Sequence, residues 1–261
     1  PVICRFRCPE ARVLVVDDND INLKVAKGFL EPYGAKLTFA SGGMEAVDII
    51  RSGEEFDLVF MDHMMPDIDG VEAAKMIRKL PAKCASVPIV ALTANAIKGV
   101  EEMFISEGMN GFLAKPIDSD KLCGIMQKFI PRAKQILSAE PAEPAKTAVR
   151  TGIAVSDIDA DKAAERLGGE AIYRELLTAV CGESEVKAQR LEKMLAEGDF
   201  RNYLIEVHSL KSTAANIGAQ KLSERAAEHE AAAKSGNYDF IRSDGEQLIV
   251  EYRKLIDEIS P

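Results

Sequence analysis

Five times between residues 11 and 130 a short apolar run gives way to a segment of helical period, and this alternation limits the fold more than any other feature of the chain. Residues 11–16 form the first run. Asp17-Asp18-Asn19-Asp20 stops it, after which Ile21, Val25 and Phe29 recur at helical spacing. The pattern then predicts strands over 36–40, 58–61, 88–92 and 111–114, with helices over 43–52, 71–80, 97–107 and 119–129. Five βα units with short connections imply an α/β unit: a doubly wound, five-stranded parallel sheet with helices on both faces. Functional groups of such a sheet collect beyond the carboxyl ends of its strands.

Those ends carry the chemistry. Strand one stops at Asp17-Asp18, strand three at Asp62, strand four at Thr93 and strand five at Lys115-Pro116, so all five side chains can reach one crevice. Alone, Asp62 would read as the cap of the turn that follows; its company points elsewhere. Three carboxylates in a small volume repel one another, and the usual relief is a hard divalent cation with oxygen ligands, for which Mg2+ fits best. Such binding leaves Asp62 an oxygen with which to attack phosphorus. Thr93 can donate a hydrogen bond to a phosphoryl oxygen and Lys115 can neutralise another. His63 follows the acceptor on a strand whose side chains alternate, and is expected to be solvated or to pack.

At 261 residues the chain is long for one domain and comfortable for two. A net charge of −9 opposes contact with nucleic acid or anionic membranes. Cys4, Cys8, Cys84, Cys123 and Cys181 form no CxxC pair, and the three histidines cannot complete a zinc site of usual spacing. A reducing, cytoplasmic location is expected, although a longer parent protein could be membrane-anchored. Residues 1–10 lack an initiator Met and read as the frayed lead-in of something longer. Pro131 to about Val155 reads as a linker, with Pro141 and Pro144 in it and one possible helical turn near Gln135-Ile136-Leu137.

From residue 156 onward no strand pattern occurs. Six amphipathic segments punctuated by Gly168-Gly169, Gly182, Gly198, Gly218 and Gly236 predict an all-α unit over 156–261, a helical bundle of the four-helix type. In the fourth segment Leu204, Val207, Leu210, Ala214 and Ile217 share one side, which turns His208 to the bundle surface. Lys211 and Ser212, at i+3 and i+4, flank it, and Ala215 keeps the face shallow. An exposed imidazole there can attack phosphorus while Lys211 steadies the phosphoryl charge. His229, among Glu224, Glu228 and Glu230, reads as a surface residue.

Residues 11–130 resemble the receiver domain of two-component response regulators, on the motifs Val-Val-Asp17-Asp18-Asn19, Met61-Asp62, Met65-Pro66-Asp67-Ile68-Asp69-Gly70, Ala91-Leu92-Thr93-Ala94 and Gly108 to Pro116. The resemblance implies a flavodoxin-like fold with Asp62 as the phosphate acceptor. It implies Mg2+ bound directly by Asp18, Asp62 and the Met64 backbone carbonyl, with Asp17 acting through water. It further implies a cis Lys115-Pro116 bond and a switch made of Thr93 and Phe112. Residues 156–261 resemble the histidine-containing phosphotransfer domain, on His208-x-Leu210-Lys211-x(6)-Gly218-Ala219, Leu167-Gly168-Gly169 and Gly198-Asp199-Phe200. Ser212 departs from the glycine most common in that family. Slightly tighter packing is expected there, not loss of function.

The order of the two resembles the carboxyl-terminal part of a hybrid sensor histidine kinase. It implies a phosphorelay, with a histidine kinase core as donor and a response-regulator receiver as the partner of His208. No ATP-binding kinase core is present in these residues, so the chain alone is not expected to use ATP. The alternative is a binding switch governed by phosphorylation of Asp62, with His208 as a phosphate sink. A metal-dependent phosphatase with a DxD motif at Asp18-Asn19-Asp20 is disfavoured, because Asn22 stands where that motif wants Thr or Val.

Overall fold

Apolar runs buried on both sides make the central strands of the first unit. In the computed structural model, which describes residues 6–66, 68–93, 100–137, 151–153 and 155–260, the chain divides into units Pro1–Lys146 and Thr147–Pro261. After β1 (Phe6–Arg7) come β2 (Arg12–Val16), α1 (Asp20–Leu30), β3 (Lys36–Ala40), α2 (Gly43–Arg51), β4 (Leu58–Asp62), α3 (Gly70–Arg78) and the short α4 (Ala82–Ala85). Then follow β5 (Ile89–Thr93), α5 (Val100–Ser106), β6 (Gly111–Ala114), α6 (Ser119–Phe129) and β7 (Ile136–Leu137).

The sheet is parallel, in the order β3-β2-β4-β5-β6. That is the flavodoxin-like order, whose reversal beside β2 opens a crevice at the strand carboxyl ends. All five residues of β4 and of β5 are buried, as helices on both faces require. Leu14, Val16, Val59, Met61, Ile89 and Ala91 meet Ala46, Ile50, Ala73, Ile77 and Phe104 on one face. By the two-residue period Val13, Val15 and Phe60 point to the other.

Side chains start the helices that border the crevice. Asn19 Oδ1 accepts from Ile21 N at 2.8 Å and Asp69 Oδ1 from Glu72 N at 2.7 Å. The second helix opens at Gly70 for a steric reason: a Cβ there would lie 2.1 Å from the backbone oxygen of Asp62. Gly70→Ala must therefore push α3 away from β4, and is expected to lower stability by about 1–3 kcal/mol. An unchanged urea midpoint would show that the loop yields freely.

Residues 6–10 are not frayed. Phe6 and Arg7 pair antiparallel with Leu137 and Ile136, Phe6 and Cys8 are buried, and Cys8 N donates to Tyr33 O at 2.8 Å. The turn expected near Gln135 is a 3-10 turn over Arg132–Lys134 followed by β7. Lys134 Nζ contacts both Asp57 oxygens, at 2.8 and 2.7 Å. Pairing between segments some 130 residues apart leaves no local pattern, so neither end of the ribbon was visible in the sequence. Cys8, Cys84 and Cys181 are free, whereas Cys123 is disulfide-bonded, against the expectation of fully reduced cysteines. The expected linker is ordered at both ends, with Thr151 N and Oγ1 donating to Asp161 Oδ1 at 2.8 and 2.9 Å. Its middle lies outside the described residues, as do Asp67, Ala94, Asn95 and the expected helix start at Ile97.

The second unit holds α7 (Ala160–Leu167), α8 (Glu170–Glu197), α9 (Phe200–Ile217), α10 (Gln220–Ser235) and α11 (Tyr238–Ile259). The last four form the bundle, with α8 against α9 and α11 and α10 against α9 and α11. Among the described residues five helices replace the six expected, because the second and third segments are one 28-residue helix. Gly182 does not end it: a lone glycine costs only about 1 kcal/mol against alanine, which continuous packing on two neighbours outweighs. At Gly218, by contrast, φ is +85° and a Cβ would sit 2.7 Å from Asp159 O. There α9 ends, its last carbonyls accepting from Arg166 and Tyr173. No described helix is long and apolar enough to cross a membrane.

Candidate functional site

The turn after β2 and the ends of β4, β5 and β6 bring the predicted crevice residues together. Carboxylate oxygens of Asp17, Asp18 and Asp62 lie within 4.8 Å of one another. Lys115 Nζ bridges two of them, at 2.7 Å from Asp17 Oδ2 and 2.9 Å from Asp62 Oδ2. Asp17 Oδ1 accepts from Asn19 N and from Asn22 Nδ2, each at 3.0 Å. Both oxygens of Asp17 thus accept from donors of its own unit, which leaves Oδ2 room for one further donor such as a water. Asn22 holds Asp17 in place, a role the sequence did not suggest.

Thr93 ends β5 and is buried, and its carbonyl accepts from Lys115 N at 2.7 Å, which ties the two strand ends beside Asp62. The Lys115–Pro116 peptide is cis. Met64 is partly buried in the loop after β4, and Phe112 on β6 packs partly buried against the core. His63 packs as expected: its ring lies edge-on to Phe104, with Nδ1 3.2 Å from Leu92 O.

Asp62 is 1% exposed, and its Oδ1 has no hydrogen-bond partner among the described residues. Burial raises its carboxyl pKa; Lys115 lowers it, while the charges of Asp17 and Asp18 raise it further, and the net result is about 8. A buried oxygen without a donor, beside two more carboxylates, is a donor set that a hard divalent cation completes. The residues present fit magnesium.

The second unit carries its own polar cluster on α9 and α10. His208, on α9, is 3% exposed. Glu230 on α10 meets one edge of the ring: its Oε1 lies 3.0 Å from His208 Nδ1 and its Oε2 accepts from Lys211 Nζ. Lys234 Nζ also donates to Glu230. Burial raises the Glu230 carboxyl pKa, but His208, Lys211 and Lys234 together hold it well below the usual carboxylate range. An ionised Glu230 accepts the Nδ1 proton and so selects the tautomer whose lone pair is on Nε2.

Glu230 is the residue that sequence reasoning missed. Its only signal was its place 22 residues after His208, in a run of charges that read as surface. His229 is corrected too. It is fully buried, with Nδ1 2.8 Å from Tyr203 Oη and Nε2 2.9 Å from Asp244 Oδ2, which binds α10 to α9 and α11.

Residues 13–127 match the family described as the response regulator receiver domain, and residues 175–260 the Hpt domain. The sensor histidine kinase GacS of Pseudomonas protegens is 31% identical over 215 residues, which is 81% of this chain and 23% of that protein. Probable histidine kinase 3 of Oryza sativa subsp. japonica is 35% identical over 143 residues, 48% of this chain and 14% of that protein. The chain therefore spans less than a quarter of the length of these curated relatives. Among solved structures, the receiver domain of the sensor histidine kinase PA1611 from Pseudomonas aeruginosa has a magnesium ion coordinated in its active site cleft. It is 35% identical, covers 46% of this chain and 96% of its own, and has a TM-score of 0.42. With a receiver domain followed by an Hpt domain, and hybrid sensor histidine kinases as its homologues, the chain belongs to the phosphorelay proteins of two-component signal transduction.

Proposed function

We propose that Asp62 accepts a phosphoryl group from a phosphohistidine of a histidine kinase core and that His208 exchanges one with an aspartate of a response-regulator receiver. The observation that carries this reading is the buried, undonated Oδ1 of Asp62 beside Asp17, Asp18 and Lys115. Asp18, Asp62 and the Met64 carbonyl would hold magnesium, with Asp17 reaching it through water. When bound, the ion offsets the crowded negative charge and draws on the phosphoryl oxygens.

In the receiver step an Asp62 oxygen forms the O–P bond as the donor's N–P bond breaks, and the electron pair returns to the donor imidazole. Lys115 turns from Asp62 Oδ2 to a phosphoryl oxygen, the Thr93 hydroxyl donates to another, and Phe112 follows Thr93 as the switch. In the Hpt step the Nε2 lone pair of His208 forms the N–P bond, and the electron pair of the breaking O–P bond stays on the partner's carboxylate. The proton remains on Nδ1, so the imidazole becomes cationic. Glu230 balances that charge while Lys211 serves the phosphoryl group.

Labelled phosphate supplied by a kinase core tests the reading: alkali-labile label is expected on Asp62 and acid-labile label on His208. Asp62→Asn should lose the first and His208→Gln the second. Label on Asp18 instead would sink it. Met64, two residues beyond the acceptor, cannot orient a water by hydrogen bonding, so self-dephosphorylation of Asp62 should be slow. A half-life of seconds in the presence of magnesium would contradict this.

A further inference from the structure

We infer that the Ser212 hydroxyl is a phosphoryl-binding group, which donates a hydrogen bond to the phosphoryl group on Nε2 of His208 and so prolongs the phosphohistidine. The inference rests on the phosphorelay reading above and adds a residue to its site. Ser212 is 4% exposed, and its Oγ is buried with no hydrogen-bond partner among the described residues. A buried hydroxyl normally finds one, and a helix offers a default acceptor in the carbonyl four residues back. Thr178 takes that acceptor in α8, donating to Arg174 O at 2.9 Å, and on α10 Ser223 donates to Lys211 O at 3.0 Å. Ser212 takes neither course.

Its position says what the hydroxyl is kept for. Ser212 lies one turn beyond His208, about 40° round the helix and roughly 6 Å along it. Helical side chains lean toward the N-terminus, so Ser212 leans toward the turn that carries the imidazole. Lys211 stands on the other flank, anchored to Glu230. A phosphoryl group on Nε2 would then lie between an ammonium on one side and a hydroxyl on the other. The hydroxyl lends its proton to a charged oxygen without transferring it, and such bonds are among the stronger ones. Glycine at this position could offer no donor.

The test uses the full chain carrying Asp62→Asn, so that label accumulates on His208 alone, with phosphoramidate as phosphodonor and phosphorus NMR as readout. Ser212→Ala and Ser212→Gly are each expected to shorten the phosphohistidine half-life about tenfold, the factor for one hydrogen bond of ordinary net strength. Ser212→Ala should not lower the melting temperature of the unphosphorylated protein, in which the hydroxyl makes no bond, and Ser212→Gly should lower it only by the small helix cost of glycine. Equal half-lives with and without the hydroxyl would overturn the inference and leave the relay reading intact, as would shortening in the glycine variant alone, which would mark lost bulk. Failure of His208 to take any label would count against the relay reading itself, and the inference would fall with it.

Discussion

Replacing Asp62 with Asn is expected to abolish phosphoryl acceptance by the receiver unit and, in metal-free protein, to remove a pH dependence of stability. In the folded state burial and the neighbouring carboxylates keep Asp62 protonated up to about pH 8, although Lys115 opposes them; the ordinary value is 3.8. Between those limits the folded state binds one more proton than the unfolded state at this residue, so its contribution to stability falls as pH rises. Each pH step within that window costs about 1.4 kcal/mol, and Asp62→Asn should flatten the slope. Magnesium reverses the direction, since the ion binds the ionised carboxylate and protons compete with it. Melting temperatures between pH 5 and pH 9, with and without excess magnesium, should show the ion stabilising the unchanged protein most at high pH and Asp62→Asn least. Equal slopes in the two proteins would refute the account of a crowded, buried acceptor.

Glu230 should prove as important to the bundle as to its chemistry. The carboxylate meets His208, Lys211 and Lys234 at a site 5% exposed, so Glu230→Ala strands two buried or half-buried partners and is expected to cost about 3–5 kcal/mol. Glu230→Gln keeps the shape and one acceptor but cannot balance a cationic phosphoimidazole. It should slow phosphotransfer through His208 roughly 10–100-fold, as loss of a supporting partner typically does. A carboxyl held below its ordinary range stabilises the fold above its unfolded-state value, and that contribution is lost as pH falls through the folded-state value. Urea unfolding between neutral pH and about pH 3 should therefore show a steeper acid loss in the unchanged protein than in Glu230→Gln. Identical acid profiles, or full transfer rates in Glu230→Gln, would remove Glu230 from the site.

These two residues mark where reading the sequence succeeds and where it stops. Asp62 was legible because a buried parallel strand has a short, continuous apolar signature, and what stands at its carboxyl end is fixed by chain order. Asp17, Asp18, Thr93 and Lys115 follow from the same rule, one strand apart. Glu230 was illegible because its role depends on the rotation of α10 against α9, which no periodicity of α10 alone reveals. The helical wheel places His208 off the apolar stripe of α9, but it could not show that a carboxylate from the next helix meets its Nδ1. His229, set among charges, is buried because Tyr203 and Asp244 satisfy both ring nitrogens.

By itself, then, the amino-acid order determined the two units, the parallel sheet and the identity of its strand-end side chains, since each follows from interactions within a few residues. The tertiary structure alone decided which partner each polar group meets, that Glu230 holds His208 Nδ1, that α8 runs unbroken past Gly182 and that Phe6 pairs with Leu137. Those outcomes depend on contacts between residues distant in the chain, where the cost of burying a polar group is offset only by a neighbour that packing supplies.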